Sequence, residues 1–194
     1  MNGIVVGIVT DLRDPERLGR VKVRYPNLAD QQSDWARLVT LMAGPDRGVF
    51  FRPEVDDEVL VAYEQGDPRR PYVLGSVWSK ADTPPSQSGR DEDNDWRFVR
   101  SRSGHVIKLN DKSGAETIEI IDKSGDNKVV IDTAKNRITI SAGQVVTVEA
   151  STIELKGQAK VTVEAPDVEL TASTSMTLKG GSSLTLQGGV VRIN

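Results

Sequence analysis

The sequence predicts an all-β chain made of two unlike parts: a small barrel of short strands, followed by a β shaft that several chains must build together. Three observations carry that prediction. Residues 1–78 hold short alternating segments separated by Gly, Pro and Asp turns, with no helical period. From residue 138 onward one short motif returns every seven or eight residues. The two parts also differ in material, since all nine aromatic residues lie at or before Phe98 and eight of the nine prolines at or before Pro85.

The barrel strands follow in order. "GIVVGIVTDL" (3–12) is the first, "GRVKVRYP" (19–26) the second and "DWARLVTLMA" (34–43) the third; "VFFRP" (49–53), "DEVLVAYE" (57–64) and "YVLGSVW" (72–78) complete the set. In the second strand Val21, Val23 and Tyr25 share one face, with Lys22 and Arg24 on the other. So many short strands in so short a span bury their apolar faces best by closing on themselves, and an OB-fold barrel is the expected form.

Composition then excludes several functions. A net charge of −3 leaves no bulk basic field, so neither nucleic acid nor an anionic membrane is an expected partner. OB barrels that bind nucleic acid interleave aromatics with Lys and Arg on one face. Here the dense basic stretches are only "RVKVRYP", a solvated strand face, and "DPRRPY", a turn. The absence of cysteine rules out disulfides, thiol catalysis and thiolate metal sites. "EVDDEV" (54–59) reads as an acidic turn entering a strand, not as a metal site. His105, the single histidine, sits in "SGH", a turn before a strand with no nucleophile near it in sequence. No enzyme activity, catalytic residue, cofactor or metal is expected. "MNGIVVGIVTDLRD" lacks a basic n-region and is interrupted by Asp11, so the expected place of synthesis and assembly is the bacterial cytoplasm.

Four regions result: a barrel (1–79), a linker (80–100), a collar (101–137) and a shaft (138–194). The linker contains "SKADTPPSQSGRDEDND", polar and rich in Pro and Ser. In the collar, apolar pairs recur at Ile107/Leu109, Ile118/Ile120 and Val129/Ile131, with the hairpin turns "NDKSGAE" and "DKSGDNK" between them.

In the shaft the pattern is apolar, polar, apolar, polar, small. Strand alternation places Ile138, Ile140, Val146, Val148, Ile153, Leu155, Val161, Val163, Val168, Leu170, Met176, Leu178, Leu184 and Leu186 on one side. Ala or Gly closes the motif, where a ribbon turns a corner at close quarters, and Pro166 falls between repeats. Glu149, Glu154, Glu164 and Glu169 recur on the other side as evenly spaced, solvated carboxylates rather than a catalytic pair. A seven- or eight-residue repeat forms only one side of a rung, so a single ribbon has nothing to bury its stripe against and no neighbour for its edges. Three identical chains around a common axis are the smallest set that encloses a core.

The order of motifs "DPERLGRVKVRYP", "WARLVTLMAG", "GVFFRPEVDDEVLVAYEQGDPRRPYVLGSVW" and "RSRSGHVIKLND", followed by the repeat, resembles the central spike of contractile injection machines. That family comprises the phage baseplate assembly protein V proteins and the matching part of the type VI valine–glycine repeat protein. The resemblance implies an N-terminal OB domain seated on a hub or tube and a C-terminal intertwined trimeric β-helix needle. It implies a homotrimer that pierces a target envelope when a sheath contracts, in a phage tail or injection particle. A separate hub polypeptide is expected, as is a small conical tip protein of the Pro-Ala-Ala-Arg repeat type docked on Val190, Val191, Arg192, Ile193 and Asn194. The six-histidine iron site of some family members is not expected, because residues 184–194 contain no histidine. From another class, a fibre-like adhesin or binding module with an OB head would require exposed aromatic loops in the distal part, which the sequence lacks.

Overall fold

A computed structural model of the chain describes residues 3–86 and 92–192, in two units, Met1–Val145 and Val146–Asn194. Alternation in the first unit produces β1 (Val5–Asp11), β2 (Lys22–Tyr25), β3 (Gln31–Gln32), β4 (Arg37–Leu38), β5 (Ala43–Gly44), β6 (Arg47–Gly48), β7 (Glu58–Tyr63) and β8 (Pro71–Ser76). Single 3₁₀ turns at Pro26–Leu28 and Glu64–Gly66 follow β2 and β7.

Six of these strands form one sheet in the order β3-β2-β1-β7-β8-β4, antiparallel throughout except for the parallel pair β4/β8. Ala36 and Val21 then exchange backbone hydrogen bonds of 2.8 and 3.0 Å, which ties the β4 segment back to the β2 segment and closes the barrel. The all-β barrel is consistent with the OB type the sequence predicts. Inside it Val9, Val21, Val23, Ala36, Val59 and Val61 are fully buried, with Val73 and Tyr25 nearly so. The alternation in "GRVKVRYP" thus places the predicted face inward. Tyr25 meets Tyr63 edge-on at 6.1 Å between ring centroids, and burial pushes the Tyr25 phenol well above its ordinary pKa.

Two predicted strands come out differently. "DWARLVTLMA" shrinks to Arg37–Leu38 plus the Ala36 bridge, and residues 49–53 form no strand. The turn "GPDR", with Asp46 at φ 51°, folds Ala43–Gly44 against Arg47–Gly48 as a two-stranded ribbon off the barrel. Pro45 cannot donate to a ladder and Asp46 tolerates the left-handed region, so local turn chemistry outweighs the apolar run.

The second sheet is a five-stranded antiparallel meander of β9 (Trp96–Arg100), β10 (Val106–Asn110), β11 (Thr117–Ile121), β12 (Lys128–Asp132) and β13 (Arg137–Ser141). β9 lies within the segment assigned to the linker, and pairs with β10 from Trp96↔Asn110 to Arg100↔Val106. β13 is the first shaft repeat, and it joins this sheet with Ile138 opposite Ile131 and Ile140 opposite Val129. The β11–β12 turn is held by Asp122, whose carboxylate accepts from the N–H groups of Ser124 and Gly125, and from the Ser124 hydroxyl and the Asn127 amide. Those bonds, led by the Ser124 and Asn127 side chains, lower its pKa to about 2. Gly125, at φ 83°, supplies the left-handed turn residue.

The second unit shows no strand among its described residues, and every residue from 146 to 192 is exposed. Ion pairing of Lys156 with Glu154, and the Thr171 hydroxyl donating to Glu169 at 3.2 Å, still put polar side chains two residues apart on one side. That is the expected period of two.

Candidate interaction surfaces

Three apolar surfaces lie open to solvent. The first is one face of the five-stranded sheet. The register places Val99, Ile107 and Ile120 in line, then Ile120 with Val129 and Ile140; Leu109, Ile118, Ile131 and Ile138 form the adjoining row. All are exposed apart from Val129, which is half-buried, with Ile138 at 68% and Ile140 at 64%. The opposite face is mixed: Lys108 pairs with Glu119 at 2.9 Å and lies 4.9 Å from the Trp96 ring centroid, among the half-buried Phe98, Val106, Ile121 and Val130. His105 is structural here, since its Nδ1 accepts the Lys123 N–H at 3.2 Å and links two turns.

The second surface is the repeat stripe. Val146, Val148, Ile153, Leu155, Val161, Val163, Val168, Leu170, Met176, Leu178, Leu184 and Leu186 are all exposed in the single chain. Val190, Val191 and Arg192 are exposed as well, whereas Ile193 and Asn194 lie outside the described residues.

The third surface was not anticipated from the sequence. A groove of about 1020 Å³ runs between the 17–20 loop and the 37–51 segment. Its walls are set by local chemistry. Asp14 accepts from the N–H groups of Glu16, Leu18 and Arg20, and Arg20 Nη2 reaches Asp14 Oδ1 at 2.7 Å. The Asp14 side chain is only 2% exposed, and Arg20 holds its carboxyl far below the usual carboxylate range while its own pKa rises. "DPERLGR" is therefore a loop folded around one carboxylate. Gly19, at φ 75°, lets Phe50 lie against it, and Arg52 Nη1 donates to the Leu12 carbonyl at 3.2 Å. Leu18, Val39, Met42, Phe50 and Phe51 face solvent along the groove; Leu41, next to it, is 95% exposed. Arg17, Arg37 and Arg47 line the groove together with Asp46, and among the described residues none of the three arginines forms an ion pair. The sequence signal for this surface was the loss of alternation through "TLMAGPDRGVFF", where apolar residues cluster beside turn residues.

By contrast, the polar loops "NLADQQSD" and "QGDPRRP" pair their charges internally, through Arg24–Asp30, Arg69–Asp67 and Arg70–Glu64. The acidic turn at 54–59 is engaged too, with Asp57 accepting the Glu54 N–H and Glu54 pairing with Arg102. Among the described residues no group of three or more His, Asp or Glu is placed to hold a metal ion. Among the described residues no helix is long and apolar enough to cross a membrane.

Residues 5–78, the closed barrel, match the family model of the type VI secretion system and phage-baseplate injector OB domain. The barrel belongs to that injector OB-domain family. The likeness extends past the injector barrel. The chain is 30% identical over 141 residues to the type VI secretion system spike protein VgrG1a of Pseudomonas aeruginosa, covering 66% of this chain and 22% of the relative. VgrG1b of the same organism is also 30% identical over 141 residues, covering 66% and 19%. The chain thus spans about a fifth of the length of these curated relatives. A shorter match, 36% over 72 residues, links it to the actin cross-linking toxin VgrG1 of Vibrio cholerae, covering 34% of this chain but 7% of the toxin.

Proposed function

We propose that the chain is the central spike of a contractile tail or injection machine and works as a homotrimer. The carrying observation is the repeat stripe, a dozen apolar side chains exposed in one chain and spaced so that identical copies can bury them together. Exposed apolar surface on this scale marks an interface. In the trimer the stripes form the core of an intertwined β-helix, and the Thr, Glu and Lys side chains form its outer surface. Thrust from a contracting sheath is then borne along the whole shaft, because bending or unfolding it means separating three chains at every repeat.

The barrel seats on a hub protein through the groove. Its apolar centre and Arg17, Arg37 and Arg47, which form no ion pair among the described residues, fit a partner that offers an apolar projection with acidic residues around it. Val190 and Val191 offer an apolar surface for a conical tip protein, together with Arg192, Ile193 and Asn194. Assembly takes place in the bacterial cytoplasm, with the target envelope met only when the machine fires.

Light scattering of the purified full chain tests the reading. The expected mass is three times the 21.1 kDa of one chain, persisting in moderate denaturant. A monomer at all concentrations would sink it.

A further inference from the structure

We propose that the open apolar face of the β9–β13 sheet is the first trimer contact, and that it sets the register in which the repeats wind. The occupant of this face is the same face of two further copies. The inference rests on the trimeric reading above and adds to it an order of assembly and a registration device.

Near-identical repeats create the need. Val161-Thr-Val-Glu-Ala repeats Val146-Thr-Val-Glu-Ala, and "MTLKG" and "LTLQG" differ little. If one chain slid by a whole repeat along its partners, Val would meet Ile, Leu would meet Met, and the polar side would stay outside. Such a slip costs few contacts, so the shaft specifies its own register weakly. Something that does not repeat must align the chains.

The β9–β13 sheet has the required properties. Its five strands are fully paired within a single chain, whereas the described residues 146–192 carry no strand at all. A folded monomer can therefore present this face before any shaft exists, without the ordering cost that isolated repeats face. Its pitch is irregular: Ile107 to Ile118 and Ile118 to Val129 each span 11 residues, and Val129 to Ile138 spans 9. The intrachain ladder pins each strand, so the face meets its copies in one alignment. Of the two faces this one is the more open: its apolar side chains are exposed apart from Val129, whereas Trp96, Phe98, Lys108, Glu119 and Val130 on the other are half-buried.

The identity of the occupant follows from the surface. Facing residues run Val99, Ile107, Ile120 and Ile140 with almost no charge, so the complementary surface must itself be flat and apolar. The face holds the start of the repeat series, since Ile138 and Ile140 of β13 are also its first apolar pair. A face that carries the first pair of a self-pairing series is covered by the same partners.

The test compares refolding of three full-length proteins from denaturant: the unaltered chain, Ile120→Asp and Leu170→Asp. Light scattering reads the mass, and amide hydrogen exchange reads β1 and β7 as a check that the barrel has folded. Ile120→Asp is expected to raise the concentration needed for trimer by at least about a hundredfold, since its carboxylate must enter an apolar contact. Leu170→Asp is expected to remain trimeric, losing exchange protection only in the neighbouring repeats. Recovery of a fully protected trimer by Ile120→Asp, or a monomer from Leu170→Asp alone, overturns the proposal. A monomer from the unaltered chain strikes the spike reading itself, a separate outcome.

Register has its own readout, because the chain has no native cysteine. Leu178→Cys should cross-link copies efficiently in the aligned shaft. Adding Ile118→Ala and Ile120→Ala should lower the yield, either by slippage or by loss of trimer. Undiminished cross-linking means that the sheet does not set the register.

Discussion

At the scale of single residues the barrel depends on a few close fits. Gly7 sits in β1 where a Cβ would lie 2.1 Å from Val23 Cγ1 and 3.2 Å from the Arg24 carbonyl oxygen. Val23 is fully buried and cannot yield without disturbing the core. Gly7→Ala is therefore expected to destabilise the barrel by about 1–3 kcal/mol in denaturant unfolding, and Gly7→Val by more. Asp14 supplies a second prediction. Its folded pKa is depressed by the Arg20 guanidinium and by backbone N–H donors, so its contribution is present above the unfolded carboxylate value of about 4. That contribution is lost as the pH falls below that value toward the folded pKa. Asp14→Asn should lower the denaturation midpoint at pH 7, with the gap from the unaltered chain narrowing at pH 3. A gap that widens at pH 3 contradicts the assignment. The inward set Val21, Val23 and Tyr25 was legible from strand alternation. The role of Asp14 was not, because the sequence does not show which N–H groups a loop will aim at one carboxylate.

At the scale of elements, alternation located β1, β2, β7 and β8, and it located β10 to β13 from the apolar pairs. It failed at 34–53, where apolar content suggested two strands and turn chemistry made a ribbon and a groove wall. A segment that is apolar without alternating is more informative as a surface than as a strand, and Leu41, Met42, Phe50 and Phe51 show it. Leu41→Asp is expected to leave barrel unfolding nearly unchanged, because the side chain is exposed. It should weaken association with the hub, which titration of the purified hub protein against both versions will read. Equal binding by the two versions removes the groove as the seat. The end of the linker was also misread from sequence. "DWRFVR" is charged and follows a Pro/Ser-rich run, yet Trp96–Arg100 finds a partner in β10, and Phe98 pairs across to Lys108.

At the scale of the whole molecule the two units differ in what they owe to the single chain. The barrel encloses its own core, and the β9–β13 sheet completes its own ladder. The repeats do neither. Amide exchange measured across a concentration series should accordingly show β1 and β7 protected at every concentration, and residues 146–192 protected only where the mass is trimeric. Protection of those repeats in a monomer would falsify the need for partner chains.

The sequence by itself determined the all-β class and the inward face of the second strand, Val21, Val23 and Tyr25. These are local properties: strand period, turn residues and spacing are written along the chain. Only the tertiary structure decided that Ala36 and Val21 close the barrel, that the first repeat joins the sheet, that one face of that sheet is left bare, and that arginines line an apolar groove. Each of these depends on which distant segments meet. Register and loop packing settle that through long-range hydrogen bonds and buried contacts, and no local pattern encodes them.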